Sequence, residues 1–185
     1  MTGRISCFRD DSLPRDERST GIFTEDNKLF EDAAGMTWLD PYEADVRAYL
    51  AAVCAEAKAL GVREILLDHF SFLGENPQDD IKFSAESDKI LLLNELLASI
   101  RDKIGDETIL SVVVYPDVLG EGASEAKGQD LTAFINVCDR VWVHAADTTG
   151  IESLLIQARS HGAQLGDMLA VIVGERYKSA MLYTE

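Results

Sequence analysis

Short apolar runs alternate with longer amphipathic segments along the chain, and this rhythm predicts a parallel sheet covered by helices. Five runs have the length and the aliphatic content of strands; they are Ile5 to Phe8, Glu64 to Phe70, Ile109 to Tyr115, Arg140 to His144 and Leu169 to Val173. No break in composition interrupts the repeat. We therefore expect residues 1–185 to form a single α/β domain.

Helices are predicted between these strands from apolar positions that recur three and four residues apart. They span Pro41 to Leu60, about Ser84 to Ile104, Leu131 to Val137 and Ile151 to His161. Asp40 is expected to be the N-cap of the first helix, with Pro41 at its first helical position. Residues 9–40 and the glycine-rich residues 116–128 are predicted as loops. A loop as long as the first one is often functional in a compact domain.

The charge of the chain argues against broad contact with nucleic acid or anionic lipid. Its 17 Lys and Arg oppose 33 Asp and Glu, for a formal net charge of -16, and such a surface repels phosphate groups. The apolar runs fall far short of the roughly 20 residues that a membrane helix needs. No signal peptide is recognisable after Met1, so we expect either a cytoplasmic protein or one whose native N-terminus was removed.

Polar residues cluster where the predicted strands end, which is where parallel α/β proteins bind ligands. This acidic rim consists of Arg9, Asp10, Asp11, Asp68, His69, Asp117, Glu121, His144, Asp147, Glu175 and Arg176. Asp68 is the most informative member, because a carboxylate directly after buried aliphatics must be desolvated, paired or facing a cavity. A purely structural ion pair with an arginine is the alternative interpretation. The three histidines lack metal-ligand spacing, so no metal and no cofactor are expected.

The two tryptophans have different expected environments. Trp38 precedes the first long helix, where it is either a hydrophobic staple against the following turn or an aromatic platform at a sugar subsite. Trp142 lies inside a predicted strand and is expected in the core.

Three blocks of the sequence resemble a bacterial family of glycoside hydrolases with a TIM-barrel domain. WLDPYEADVRAYLAAVCAEAKALGVREILLDHFSF is similar to the family's central block, RISCFRDD to its A-R-I-V-V-F-K-D strand, and the run from Gly128 to Leu131 to its G-Q-D-L. The resemblance implies that the five strands correspond to strands three to seven of a (β/α)8 barrel. With 185 residues, against about 250 for a complete barrel, we expect a truncated barrel that lacks the first two strands and the last.

The resemblance also implies a carbohydrate substrate, an extracellular or cell-surface location and a set of site residues. Asp68 and Glu175 would be the paired carboxylates of glycoside hydrolysis, Asp68 as acid/base with a raised pKa and Glu175 as nucleophile or base. The expected substrate-binding residues are Arg4, Asp10, Trp38, His69 and His144.

Departures from the family pattern leave other interpretations open. The family's tyrosine after the strand-four aspartate is His69 here, its arginine is Ser71, and its strand-five aspartate is Val113. These changes favour, as an alternative, a carbohydrate-binding or structural barrel domain without hydrolytic activity. Five strands would also fit a flavodoxin-like doubly wound sheet. A truncated barrel exposes sheet edges, which we expect a partner chain, such as a second copy in a homo-oligomer, or further residues to cover.

Overall fold

The computed structural model describes residues 1–73, 81–145, 151–173 and 180–182. The strands in these ranges are β1 (Thr2–Ser6), β2 (Phe23–Thr24), β3 (Glu64–Asp68), β4 (Ile81–Lys82), β5 (Ile109–Val114), β6 (Ala123–Ser124), β7 (Gln129–Asp130), β8 (Arg140–Ala145), β9 (Leu169–Val173) and β10 (Ala180–Leu182). The helices there are α1 (Leu13–Asp16), α2 (Ala44–Ala59), α3 (Lys89–Ile104), α4 (Pro116–Glu121), α5 (Leu131–Val137), α6 (Ile151–Ser160) and α7 (Ala163–Met168).

Six strands form one sheet in the order β1-β3-β5-β8-β9-β10. The first five are parallel and follow one another in chain order, whereas β10 runs antiparallel to β9. A doubly wound sheet reverses its strand order at a switch point, and this sheet does not, so the flavodoxin-like alternative is wrong. The predicted parallel sheet of consecutive strand and helix units is confirmed.

Alternate residues of each strand face opposite sides of the sheet and separate two apolar clusters. Ile65 and Leu67 join the large core that also contains Leu50 of α2 and Leu97 of α3. The other face carries a smaller cluster made only of strand residues: Leu66, Val113, Trp142, Ala170 and Ile172. Trp142 is fully buried there, as expected. Helix packing therefore occupies one face and leaves the other to strand side chains.

The predicted start of the first long helix is wrong. Helix α2 begins at Ala44 with Glu43 as its N-cap, rather than at Pro41. Asp40 does not cap it, because its carboxylate accepts hydrogen bonds from the backbone N–H groups of Tyr42, at 2.9 Å, and Ser84, at 2.6 Å. The bond to Ser84 ties two segments that lie 44 residues apart. A long-range contact thus overrides the local capping signal.

Other boundaries shift for local reasons. Strand β3 ends at Asp68 rather than Phe70 because His69 has a φ of 51°, which breaks the extended backbone. Helix α3 begins at Lys89 rather than near Ser84, since the Asp88 carboxylate accepts a 2.9 Å hydrogen bond from the backbone N–H of Leu91. Strand β1 covers Thr2–Ser6 instead of Ile5 to Phe8.

Two predicted loops contain regular structure. Helix α4 lies in the glycine-rich segment, with Pro116 at its start and Gly122, at a φ of 91°, at its end. The other is residues 9–40, which we call the excursion; its base is closed by a 2.7 Å bond from Leu39 N to Phe8 O and a 3.2 Å bond from Asp10 N to Thr37 O. The excursion is therefore anchored at the carboxyl end of β1.

Helices α6 and α7 and strand β10 complete the described fold, and α7 and β10 had no predicted counterpart. In the parts of the chain that the structure describes, no helix is long and apolar enough to span a membrane.

Candidate functional site

Arg4 and Asp68 form an ion pair between neighbouring strands at the carboxyl end of the sheet. The parallel register places Arg4 beside Leu66 and Ser6 beside Asp68. Arg4 Nε donates a 2.9 Å hydrogen bond to Asp68 Oδ2, and Arg4 Nη2 donates to the same oxygen. The Arg4 side chain is 36% exposed and that of Asp68 only 2%. A buried carboxylate is thus linked to a guanidinium that solvent can reach.

His69 contacts both oxygens of the preceding carboxylate. Its backbone N–H donates a 2.9 Å hydrogen bond to Asp68 Oδ1, and its ring Nδ1 lies 3.3 Å from Asp68 Oδ2. Ser6 Oγ is 3.2 Å from the same ring nitrogen. The φ of 51° at His69 is uncommon for a residue with a side chain, and conformations of this kind cluster at functional sites.

The pKa of Asp68 is lowered, contrary to the expectation that its apolar surroundings raise it. Burial is the largest influence on this pKa and raises it, but the electrostatic interaction with His69, the hydrogen bonds and charge of Arg4 and the backbone N–H of His69 together lower it more. Asp68 is therefore ionised at neutral pH. An ionised carboxylate is suited to act as a nucleophile, a base or an electrostatic stabiliser, and not as the proton donor.

Trp38 lies at the base of the excursion, packed against His69. The two rings meet edge to face, with centroids 5.7 Å apart and an angle of 87°. Trp38 is buried and its indole Nε1 donates a 3.2 Å hydrogen bond to Asp32 Oδ2, which also accepts a 2.6 Å bond from Arg9 Nε. Trp38 therefore supports the ring of His69 and is held in place by the Arg9–Asp32 pair.

The remaining predicted site residues make other contacts, lie on another strand or fall outside the described ranges. Asp10 is half-buried and uses Oδ1 to accept bonds of 2.7 and 2.9 Å from the backbone of Ser12 and Leu13, at the start of α1. His144 is half-buried on β8, two strands from β3, which corresponds to about 10 Å. Asp147, Glu175 and Arg176 lie outside the described residues.

Sequence reasoning missed Glu64, a second buried carboxylate on β3. Its two oxygens accept hydrogen bonds from Thr2 Oγ1 at 2.9 Å and from Ser111 Oγ at 2.7 Å, and Arg140 Nη1 lies 3.0 Å away. Burial raises the pKa of Glu64, but its contacts with Ser111, Thr2 and Arg140 lower the pKa by more, so the net shift is downward. Glu64 lies at the amino end of the sheet, the side associated with stability in parallel barrels.

Ser6 was also missed, although the signal for both residues was present. Glu64, Leu66 and Asp68 alternate along one strand, so all three side chains share a face. Ser6 is placed beside Asp68 once β1 and β3 are paired.

The described residues contain no group of three His, Cys, Asp or Glu side chains that could hold a metal ion.

A family comparison matches most of the chain. The sequence profile of the family described as "Putative glycosyl hydrolase domain" matches residues 1–142. A search of curated proteins found no match.

Solved structures that resemble this chain include glycoside hydrolases. A hypothetical protein from Ruminiclostridium thermocellum shares 29% identity over 60% of this chain and 56% of its own, with a TM-score of 0.50. An α-galactosidase from Thermus thermophilus, solved with stachyose, shares 13% identity over 98% of this chain and 40% of its own, with a TM-score of 0.57. The PgaB glycoside hydrolase domain from Bordetella bronchiseptica shares 13% identity over 92% of this chain and 68% of its own, with a TM-score of 0.57.

The last two likenesses, at 13% identity, show the fold alone. They identify the parallel sheet as part of a TIM-barrel architecture, which confirms the predicted fold class. This chain spans 56% of the length of the first relative and 40% of the second.

Proposed function

We propose that this chain, which belongs to the family described as "Putative glycosyl hydrolase domain", takes part in glycosidic bond hydrolysis with Asp68 and Glu175 as the paired carboxylates. The observation that carries the proposal is the ionised, buried Asp68 at the carboxyl end of β3, the edge at which barrel enzymes place their catalytic groups. The substrate is an oligosaccharide or polysaccharide, which Arg4 reaches from the solvent side.

The lowered pKa of Asp68 reverses the roles expected from the sequence, in which Asp68 was the acid/base and Glu175 the nucleophile or base. Asp68 supplies the negative charge that attacks or stabilises the cationic sugar carbon in the transition state. Glu175, which follows β9 in the chain, then supplies the proton to the leaving oxygen. His69 and Arg4 keep Asp68 in the charged form that its role requires.

The test is hydrolysis of a panel of aryl glycosides by the full chain and by Asp68→Asn and Glu175→Gln. We expect each substitution to reduce kcat at least about 100-fold, the usual scale for loss of one acid or base. Glu107→Gln, at an exposed position in the turn before β5, is the matched control and retains activity. Full activity in both carboxylate variants would exclude Asp68 and Glu175 as the catalytic pair.

Carbohydrate binding without hydrolysis is the second candidate. Ser71 and Val113, which replace the family's arginine and aspartate, are 0% and 6% exposed, so neither offers an accessible polar group. Both Asp68 oxygens are also engaged, by Arg4 and by the backbone of His69. Glycan-array binding of sugars that the chain leaves intact would favour this function over hydrolysis.

A further inference from the structure

The hydroxyl of Ser6 determines which nitrogen of His69 carries a hydrogen. Ser6 Oγ lies 2.7 Å from the backbone carbonyl oxygen of Arg9 and 3.2 Å from His69 Nδ1. Two oxygens at 2.7 Å without a hydrogen between them would repel each other, so the single hydroxyl hydrogen points to Arg9. Towards His69 the Ser6 oxygen can then only accept.

A second acceptor faces the same ring nitrogen. Asp68 Oδ2 lies 3.3 Å from His69 Nδ1, and an ionised carboxylate has no hydrogen to donate. Because both neighbours of Nδ1 are acceptors, Nδ1 must be the donor. Any change in the protonation of His69 therefore takes place at Nε2.

The left-handed backbone of His69 makes this double contact possible. Successive residues of an extended strand point to opposite faces of a sheet, so in a continuing strand the ring of residue 69 would turn away from Asp68. With a φ of 51° the ring lies beside Asp68 Oδ2 while the backbone N–H reaches Oδ1. One residue thus holds both oxygens of the carboxylate.

We infer that His69 is the positioning residue of the Asp68 carboxylate, acting through a permanent Nδ1–H that Ser6 and Asp68 share. The inference deepens the proposed function and rests on it for its catalytic meaning. The charged and titratable groups around the pair are Arg4, the Cys7 thiol and, through the Trp38 indole N–H, Asp32 with its partner Arg9. Once the Nδ1–H is removed, Arg4 is the side chain that still donates to Asp68 among the described residues.

The first experiment uses the unmodified chain and needs no activity. Nitrogen-15 NMR of the histidine rings across pH 5 to 9 should show a protonated Nδ1 for His69 throughout. An unprotonated Nδ1 at neutral pH would overturn the assignment.

The second experiment compares His69→Asn with His69→Gly. Asparagine and glycine both tolerate a left-handed backbone, and the Asn amide can replace the Nδ1–H donor, so the pair isolates the side-chain hydrogen bond. Carbon-13 titration of the Asp68 carboxyl should give a midpoint about one pH unit higher in His69→Gly, a roughly tenfold change in proton affinity. In His69→Asn it should stay near that of the parent chain. Equal midpoints in both variants would overturn the positioning role.

Activity measurements separate this inference from the proposed function. Where the chain hydrolyses a glycoside, the acid limb of its pH profile should move upward in His69→Gly and return in His69→Asn. A chain with no hydrolytic activity, but with the expected NMR titrations, would reject the proposed function and leave the positioning role intact.

Discussion

The guanidinium of Arg4 balances the negative charge of Asp68 from the neighbouring strand, although only the carboxylate is buried. We expect Arg4→Gln to reduce the free energy of unfolding at pH 7 by about 1 to 2 kcal/mol, because a buried charge loses a charged donor while the exposure of Arg4 limits the loss. Urea denaturation measures the change. Arg15→Gln, which breaks exposed contacts to Asp11 and Glu31, is the control and should have a smaller effect, because solvent screens exposed ion pairs.

Glu64 should make stability depend on pH. Its folded pKa is lowered, so its contribution is complete above the ordinary glutamate pKa of about 4.3 and is lost as pH falls through the folded value. Glu64→Gln should therefore destabilise the chain by about 1 to 3 kcal/mol at pH 7 and by progressively less below pH 4. Denaturant unfolding at several pH values tests this. A penalty that stays constant with pH would contradict it, and the exposed Glu107→Gln gives the baseline.

Gly128 and Gly61 allow backbone conformation to be separated from packing. Both have a positive φ, of 68° and 86°, but an added Cβ at Gly128 would lie 2.9 Å from the carbonyl oxygen of Lys89, whereas at Gly61 nothing lies within 4 Å. Gly61→Ala should cost about 1 kcal/mol from the conformation alone. Gly128→Ala should cost about 2 to 4 kcal/mol, since overpacking adds to it. Thermal unfolding of the two variants side by side measures the difference, and equal costs would argue against close packing at Gly128.

Asp88 caps α3 and offers a test of local stability. Asp88→Ala removes the acceptor for Leu91 N–H and should cost about 1 kcal/mol, whereas Asp88→Asn keeps an acceptor and should cost much less. Chemical denaturation compares the two. An equal loss in both variants would mean that the charge of Asp88 matters more than its hydrogen bond.

Features set by neighbouring residues were predictable from the sequence. Helix α5 begins at Leu131, directly after Asp130, whose carboxylate caps it by accepting a 2.9 Å bond from Thr132 N–H. Strand β9 matches its apolar run, Leu169 to Val173. These elements carry their start and stop signals within a few positions, so reading the chain locally is sufficient.

Features set by distant residues were not predictable. The sequence placed Asp68 at a strand end but could not show that contacts with His69 and with Arg4, 64 residues earlier, lower its pKa although burial raises it. The start of α2 was wrong because Asp40 bonds to Ser84. No local sequence pattern predicts the left-handed backbone of His69, and its ring contacts Ser6, which lies 63 residues earlier in the chain.

The hydrogen bonds at the base of the excursion hold its two ends together, so a change at its exposed tip need not reach the sheet. The bonds join Phe8 to Leu39 and Asp10 to Thr37, and further bonds run from Ile22 N to Trp38 O and from Asp40 N to Thr20 O. The entropy of closing such a segment rises only slowly with its length, by about 0.6 kcal/mol for each doubling. Insertions between Glu25 and Lys28, whose side chains are exposed, should thus be tolerated without displacing Asp68, whereas deletions that remove the buried Ile22 or Phe30 should not.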